Sequence, residues 1–314
     1  MTGPAPPRRI ILDCDPGHDD ALAILLAHGC PEIDLVGITT VAGNQTLDKT
    51  TLNARRVCTV AGITGVPICA GSARPLIRPL VTAAHIHGES GLDGHHFGPP
   101  EVAVSDEHAV DFIIRTLLAS DGDVTLVPVG PLTNLALAVR REPRIVEAAA
   151  GVVLMGGSAT RGNTTPAAEF NIFVDPEAAA VVFGAGWPLT MVGLDLTHQA
   201  GASAQVVDRV VALGTPVSRM VVDLLSFFRD TYRRGEGKPD PPVHDPCAVA
   251  RVARPELVGV EPAHVAVETA GALTAGMTVT DFRVGPDRPA NAEVATRLDR
   301  DGFWSLVLDA LGRC

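Results

Sequence analysis

The sequence predicts an α/β protein built on an open, mostly parallel sheet with helices on both faces. Short apolar runs rich in Val, Ile and Leu alternate with segments of helical period along most of the chain, the order that crossover helices impose. The runs are nearly continuous rather than alternating, as expected for strands buried on both faces. Polar, glycine-rich turns follow several runs directly. In open sheets ligands sit beyond the carboxyl ends of strands, so those turns are where chemistry is to be sought. With 314 residues, 46% of them hydrophobic, the chain can bury a large core, and the expectation is one domain over residues 1–314.

Residues 10–15 form the first strand, stopped by Pro16-Gly17, and a helix over 20–28 begins on acidic residues that suit its positive end. A strand at 33–39 and a helix at 47–61 repeat the unit, as do a strand at 66–70 and a helix at 107–119. Strand 124–129 turns through Gly130-Pro131 into helix 132–139. Strand 152–155 precedes a helix at 176–183, whose Asp175-Pro176 start is an N-cap followed by proline at the first helical position. Strand 189–194 and helix 216–234 close the pattern. Beyond them, "LVGVEPAHVAVE", "GMTVTDF" and "AEVATRLD" are strand-like and close in sequence. They predict a small antiparallel C-terminal extension, followed by a helix at 302–311. Residues 72–105, 158–174 and 235–243 are the most loop-like.

Composition excludes several function classes. A formal net charge of −11 argues against a nucleic-acid partner, because phosphate binding needs a basic surface. No apolar run reaches the roughly 18 residues that span a bilayer, so no membrane role is expected. "MTGPAPPRR" leads into "IILDCD" without the apolar core of a signal peptide. The six cysteines form no C-x-x-C pair or zinc-site spacing and read as reduced thiols of a cytoplasmic protein. Lysine occurs only at Lys49 and Lys238, which argues against Schiff-base and P-loop chemistry.

The densest polar signal is "DCDPGHDD", which sets Asp13, Asp15, Asp19 and Asp20 at one strand-to-helix turn. Two unit charges about 4 Å apart repel by roughly 4 kcal/mol at an effective dielectric near 20. No Lys or Arg lies between residues 10 and 27 to offset them. Protonation or a cation must do so, and an all-oxygen set selects a hard ion, calcium or magnesium. Helix capping explains one such aspartate, not four. The spacing fails the EF-hand pattern. It meets the aspartyl-nucleophile phosphatase pattern only in part, since Gly17 stands where a hydroxyl residue is required.

Other clusters follow later runs. Asn44 in "TTVAGNQT" is ordinary turn chemistry by itself, but its place at a strand end makes it a candidate hydroxyl binder. "AAHIHGESGLDGHHFG" holds His85, His87, His95 and His96 and reads as a mobile lid. In "VPVGPLTNLA" the carbonyl near Val129 points out of the sheet and can ligate a hard cation. Asn163, Glu169 and Asn171 suit sugar hydroxyls better than phosphate. In "PPVHDPCAVA", Asp245-Pro246 is a cap, and Asp245 is also placed to complete a cation shell opened by Asp15 and Asp20.

Taken together, "DCDPGHDD", "ITTVAGNQT", "HIHGESG", "VLMGG", "AEFNI", "DPEAA", "MVGLDLTHQA" and "VHDPCAVA" closely resemble the nucleoside hydrolases, particularly the inosine–uridine-preferring kind, from about residue 9 to 312. The resemblance implies a Rossmann-like fold, assembly as a homotetramer or homodimer, and a nucleoside substrate. It implies one Ca2+ held by Asp15, Asp20, Asp245 and the Val129 carbonyl, with Asp15 as general base for the water. It implies Asp19, Asn44, Asn163, Glu169 and Asn171 around the ribose, Met155 and Phe170 lining the pocket, His244 assisting the leaving base, and His87 and Tyr232 near the base. Downstream of Tyr232, Glu236 and Gly237 stand where an arginine and an aromatic residue are expected, with Arg233 and Arg234 nearest as substitutes. The preferred base is therefore left open. Alternatives are hydrolysis of another riboside, such as a nicotinamide or modified nucleoside, or a catalytically silent nucleoside binder.

Overall fold

A computed structural model describes residues 6–236, 240–285 and 287–314; Gly237 and Lys238 lie outside them. Nine strands form one sheet: β1 (Arg8–Cys14), β2 (Ile33–Thr40), β3 (Ile68–Ala70), β4 (Val124–Pro128), β5 (Gly151–Met155), β6 (Leu189–Val192), β7 (Val258–Val267), β8 (Thr278–Asp281) and β9 (Ala292–Leu298). Their order is β3-β2-β1-β4-β5-β6-β9-β7-β8. All pairs from β3 across to β9 are parallel; β7 is antiparallel to both β9 and β8. The C-terminal strands thus do include an antiparallel part. The third of them departs from the sequence reading by continuing the parallel sheet beside β6.

Alternation along β1 divides the core between the two sheet faces. Ile10, Leu12 and Cys14 pack with the helices His18–Gly29, Pro246–Ala253 and Arg300–Leu311. Ile11 packs with Ala109–Leu118, Thr133–Arg141 and Pro176–Phe183 on the other face. Each fully buried Ile or Leu is worth about 1.5–3 kcal/mol over an exposed one. The His18–Gly29 helix is apolar nearly all round because Pro246–Ala253 and Arg300–Leu311 cover it, and of its residues only His28 is exposed.

The strand order positions the site. From β1 the chain winds outward through β2 to β3, then returns to β4 and winds the other way through β5 and β6. Direction reverses between β1 and β4, and a crevice opens there at the strands' carboxyl ends. The Val129 amide donates to the Asp13 carbonyl at 2.7 Å, holding the two strand ends side by side.

Several elements differ from expectation at their ends. The first strand stops at Cys14, so Asp15 belongs to the turn, and the helix after it starts two residues early at His18. Leu194 opens a short helix, Leu194–Thr197, instead of ending β6. The helices Phe170–Val174 and Ala204–Ala212 were not anticipated. Among the described residues no helix is long and apolar enough to cross a membrane.

Candidate active site

The turn after β1 folds back on itself through Asp20. Its carboxylate accepts from the Asp15 amide at 3.0 Å and the Gly17 amide at 2.9 Å, so one side chain satisfies two otherwise orphan donors at a helix start. This wraps the chain tightly enough to hold Asp15, Asp19 and Asp20 together. Asp245, the N-cap of Pro246–Ala253, joins them. Asp19, Asp20 and Asp245 each offer an oxygen within 4.8 Å of the others. Asp19 also accepts from the His244 amide at 3.1 Å, which ties the two segments.

Asp15 lies beneath this group. Its Oδ2 accepts from the Asn44 amide at 2.6 Å, while Oδ1 is buried without a partner. A Cβ on Gly43 would sit 2.2 Å from Oδ2, and one on Gly130 would sit 2.5 Å from Oδ1. Only glycine at both positions leaves room for the carboxylate. Among the described ion pairs none involves Asp15, Asp19, Asp20 or Asp245.

Burial is the main cause of unusual acidity here, and mutual repulsion adds to it. Asp15 and Asp245 are held well above the ordinary carboxylate range, by burial first and then by neighbouring aspartates. Burial pushes Asp19 up to about 7 and raises Asp20. Asp20 and Asp245 bring carboxylate oxygens within 4.8 Å of each other, and the repulsion favours protons on these carboxyls. A hard divalent cation would replace those protons. The all-oxygen donors, the orphaned Asp15 Oδ1 and the lack of described basic partners fit one.

Above the carboxylates a cleft is lined by Asp19, Asn44, His87, Val129, Met155, Asn163, Glu169, Phe170, Asn171, Tyr232, His244 and Asp245. Asp15 and Asp20 lie fully buried behind it. Every residue expected at the site from the sequence is therefore in or directly under one cleft. The Asn171 amide bridges two strand ends, donating to the Val129 carbonyl at 2.8 Å and the Met155 carbonyl at 3.1 Å. Glu169 caps the Phe170–Val174 helix, accepting from the amides of Asn171, Ile172 and Gly157, and burial pushes it up to about 7. The Asn163 side-chain oxygen accepts from the Phe170 amide at 3.0 Å.

At the other end His244 stands between two hydroxyls. Thr197 Oγ1 lies 2.7 Å from Nδ1 and the Tyr232 phenol 3.0 Å from Nε2. Val81, Ile86, Phe170 and Phe228 give the cleft apolar walls beyond the carboxylates.

The comparisons with known proteins decide the family. The family model for inosine-uridine preferring nucleoside hydrolases matches residues 10–305. The chain belongs to the nucleoside hydrolases. It is 52% identical to the inosine-uridine preferring nucleoside hydrolase of Leishmania major over 313 residues, 98% of each chain. To the pyrimidine-specific ribonucleoside hydrolase RihB of Escherichia coli it is 48% identical over 300 residues, 96% of each. Among solved structures, a purine-preferring ribonucleoside hydrolase from Gardnerella vaginalis superposes with a TM-score of 0.92 at 32% identity, covering 97% of this chain and 98% of that one. This nucleoside hydrolase therefore shares its fold with enzymes that cleave N-glycosidic bonds.

Some of its site residues escape sequence reasoning. Thr197 was not singled out, although it follows the carboxyl end of β6. Asn134 donates at 2.8 Å to Asp13, whose carboxyl also takes the Thr39 hydroxyl at 2.5 Å; burial pushes Asp13 up to about 7. The stretch read as a mobile lid is tied down. Gln45, Lys49 and Asn53 donate to the carbonyls of Gly88, Glu89 and Ser90.

Proposed function

We propose that this chain hydrolyses the N-glycosidic bond of ribonucleosides, inosine and uridine among them, to free base and ribose, with Ca2+ as the resident cation. The observation that carries this reading is the buried, unpartnered Asp15 Oδ1 beneath a cleft ringed by carboxylates and amides. Asp15, Asp20, Asp245 and the Val129 carbonyl are the residues proposed to hold the cation. When bound, it supplies positive charge that orients water and ribose hydroxyls and keeps the carboxylates ionised.

Asp15 accepts the proton of the attacking water as the water oxygen bonds to C1′. The bond from C1′ to the base nitrogen breaks through an oxocarbenium-like state, and the electron pair leaves with the base. Carboxylates around the sugar, Asp19 and Glu169 among them, stabilise the positive charge that develops there. Asn44, Asn163 and Asn171 hold ribose hydroxyls, and Met155 and Phe170 wall the pocket. The base nitrogen is protonated from the His244 and Tyr232 side, which makes a poor leaving group neutral. A homotetramer or homodimer is proposed for the assembly, and light scattering measures it.

The test is base release from inosine, uridine, cytidine, adenosine and guanosine after metal stripping and again after Ca2+ is restored. Calcium-dependent hydrolysis supports the reading, and the ranking fixes the base preference. No release from any of the five, with the fold intact and Ca2+ bound, overturns it in favour of an unusual riboside or a silent binder.

A further inference from the structure

Asn134 does not line the cleft, yet it binds together the segments that shape it. It is fully buried in the first turn of the Thr133–Arg141 helix. Its Nδ2 donates to Asp13 Oδ1 at 2.8 Å and to the Thr40 carbonyl at 3.0 Å, and its Oδ1 accepts from the Ser72 amide at 2.9 Å. The ends of β1 and β2 and the turn after β3 are thus bound to the segment that follows β4. A peptide amide only donates and a peptide carbonyl only accepts, so Ser72 and Thr40 orient this side chain whatever the state of Asp13. The tie falls where the sheet gives out. The ladder between β1 and β4 ends at Asp13 and Pro128, and the Val129 amide on the Asp13 carbonyl follows it. Just beyond, the Asp15 carboxylate sits in a slot with two walls. Gly130 and Pro131, which lead into the Asn134 helix, form one; Gly43 and Asn44 form the other. A Cβ on Gly43 would also sit 2.7 Å from the Pro131 ring, so the walls meet. The Ser72 carbonyl accepts from the Ala42 amide at 3.0 Å, one residue before Gly43. Asn134 therefore holds both walls, one through its own chain and the other through Ser72.

We infer that Asn134 is a positioning residue for the cation site: by clamping this slot it sets the separation of the Asp15 carboxylate from the Val129 carbonyl, and with it the size of ion they accept. It acts only through other residues, since both its amide hydrogens are spent on Asp13 and Thr40. A gap of fixed width favours Ca2+, whose oxygen ligands stand at about 2.3–2.6 Å, over Mg2+, which demands about 2.0–2.1 Å. Mg2+ draws the ligands in only if the slot can close. The inference rests on the cation reading above.

The test is calorimetric titration of metal-stripped protein with Ca2+ and, separately, with Mg2+. Asn134→Leu keeps the branched shape and removes donor and acceptor. Loss of an outer-shell partner costs about 10–100-fold in metal affinity, and a residue acting through others belongs at the lower end, so Kd for Ca2+ rises about tenfold. Mg2+ loses less, and the ratio of the two Kd values narrows severalfold. Gly71→Ala reaches the same group by contact, because its Cβ would sit 2.3 Å from Asn134 Oδ1 and 2.5 Å from Nδ2; it shifts both values in the same directions. Ser72→Ala is the control: its hydroxyl is buried without a described partner, and both Kd values stay within about twofold. An unchanged Ca2+ Kd in folded Asn134→Leu overturns the inference. So do equal losses for Ca2+ and Mg2+, or an equal loss in Ser72→Ala, because either marks a general packing role. If Asn134→Leu does not fold, Gly71→Ala decides by the same criteria. Wild-type protein that binds no Ca2+ overturns the cation reading itself, and this inference with it.

Discussion

Asp15 gives one carboxylate oxygen to the Asn44 amide and holds the other without a partner, inside a space that Gly43 and Gly130 keep open. Asp15→Asn keeps that shape and removes the proton acceptor. General-base loss costs on the order of 10²–10⁴ in rate, so kcat for inosine or uridine falls by that factor while circular dichroism stays unchanged. Retained activity would remove the base role from Asp15. His244 meets Thr197 and Tyr232 hydroxyls at its two nitrogens, a chain suited to passing a proton toward the base. His244→Ala is expected to lower inosine cleavage by about 10²-fold or more and to spare p-nitrophenyl riboside, whose leaving group needs no proton. Equal losses would count against leaving-group assistance. At this scale the carboxylates were legible because four of them stand in eight residues without a counter-charge. Thr197 carries no such density: a lone Thr in sequence is chemically ambiguous until a second chain segment meets it.

Elements place those residues, and Glu169 shows how a functional-looking group can also build its own support. Its carboxylate holds three backbone amides, those of Gly157, Asn171 and Ile172, joining the turn after β5 to the Phe170–Val174 helix. Asn171 in turn fixes the Val129 and Met155 carbonyls at the ends of β4 and β5. Glu169→Ala therefore costs about 1–2 kcal/mol in denaturant unfolding, the range for a lost cap, and raises nucleoside KM. Glu169→Gln, which keeps one acceptor, is expected to fall between that variant and wild type on both measures. Unchanged stability and KM in Glu169→Ala would mean the cap is dispensable. The sequence revealed the helix after Asp175-Pro176 because cap and proline coincide, but not Phe170–Val174, which is too short to display a period. It also showed three C-terminal strands without their partners. Local pattern identifies a strand, whereas the place of β9 beside β6 depends on a pairing more than a hundred residues apart.

Across the whole molecule, folding carries buried acids into one crevice, and stability must register it. Asp13, Asp19 and Glu169 are pushed up to about 7 by burial, and Asp15, Asp20 and Asp245 are raised as well. A raised carboxylate binds its proton more tightly folded than unfolded. Its contribution is full below the unfolded value, near 4, and is lost as pH climbs through the folded one. Two other sets act outside that upper range. Burial lowers His18, to about 4, and His87, so they favour folding as pH rises toward 6.5 and add nothing beyond it. Surface carboxylates such as Asp281, held low by Arg283, change only in acid. Metal-stripped protein is therefore expected to lose melting temperature between pH 6.5 and 8.5. Restoring Ca2+ should raise it more at pH 8.5 than at pH 6.5, because fewer protons remain to be displaced, and should release protons into a weak buffer at pH 6.5. Differential scanning calorimetry at both pH values, with proton release followed by indicator dye, measures all three. A melting temperature that rises with pH in the stripped protein would mean that these carboxylates are ionised without a cation, and the site would then need a different counter-charge.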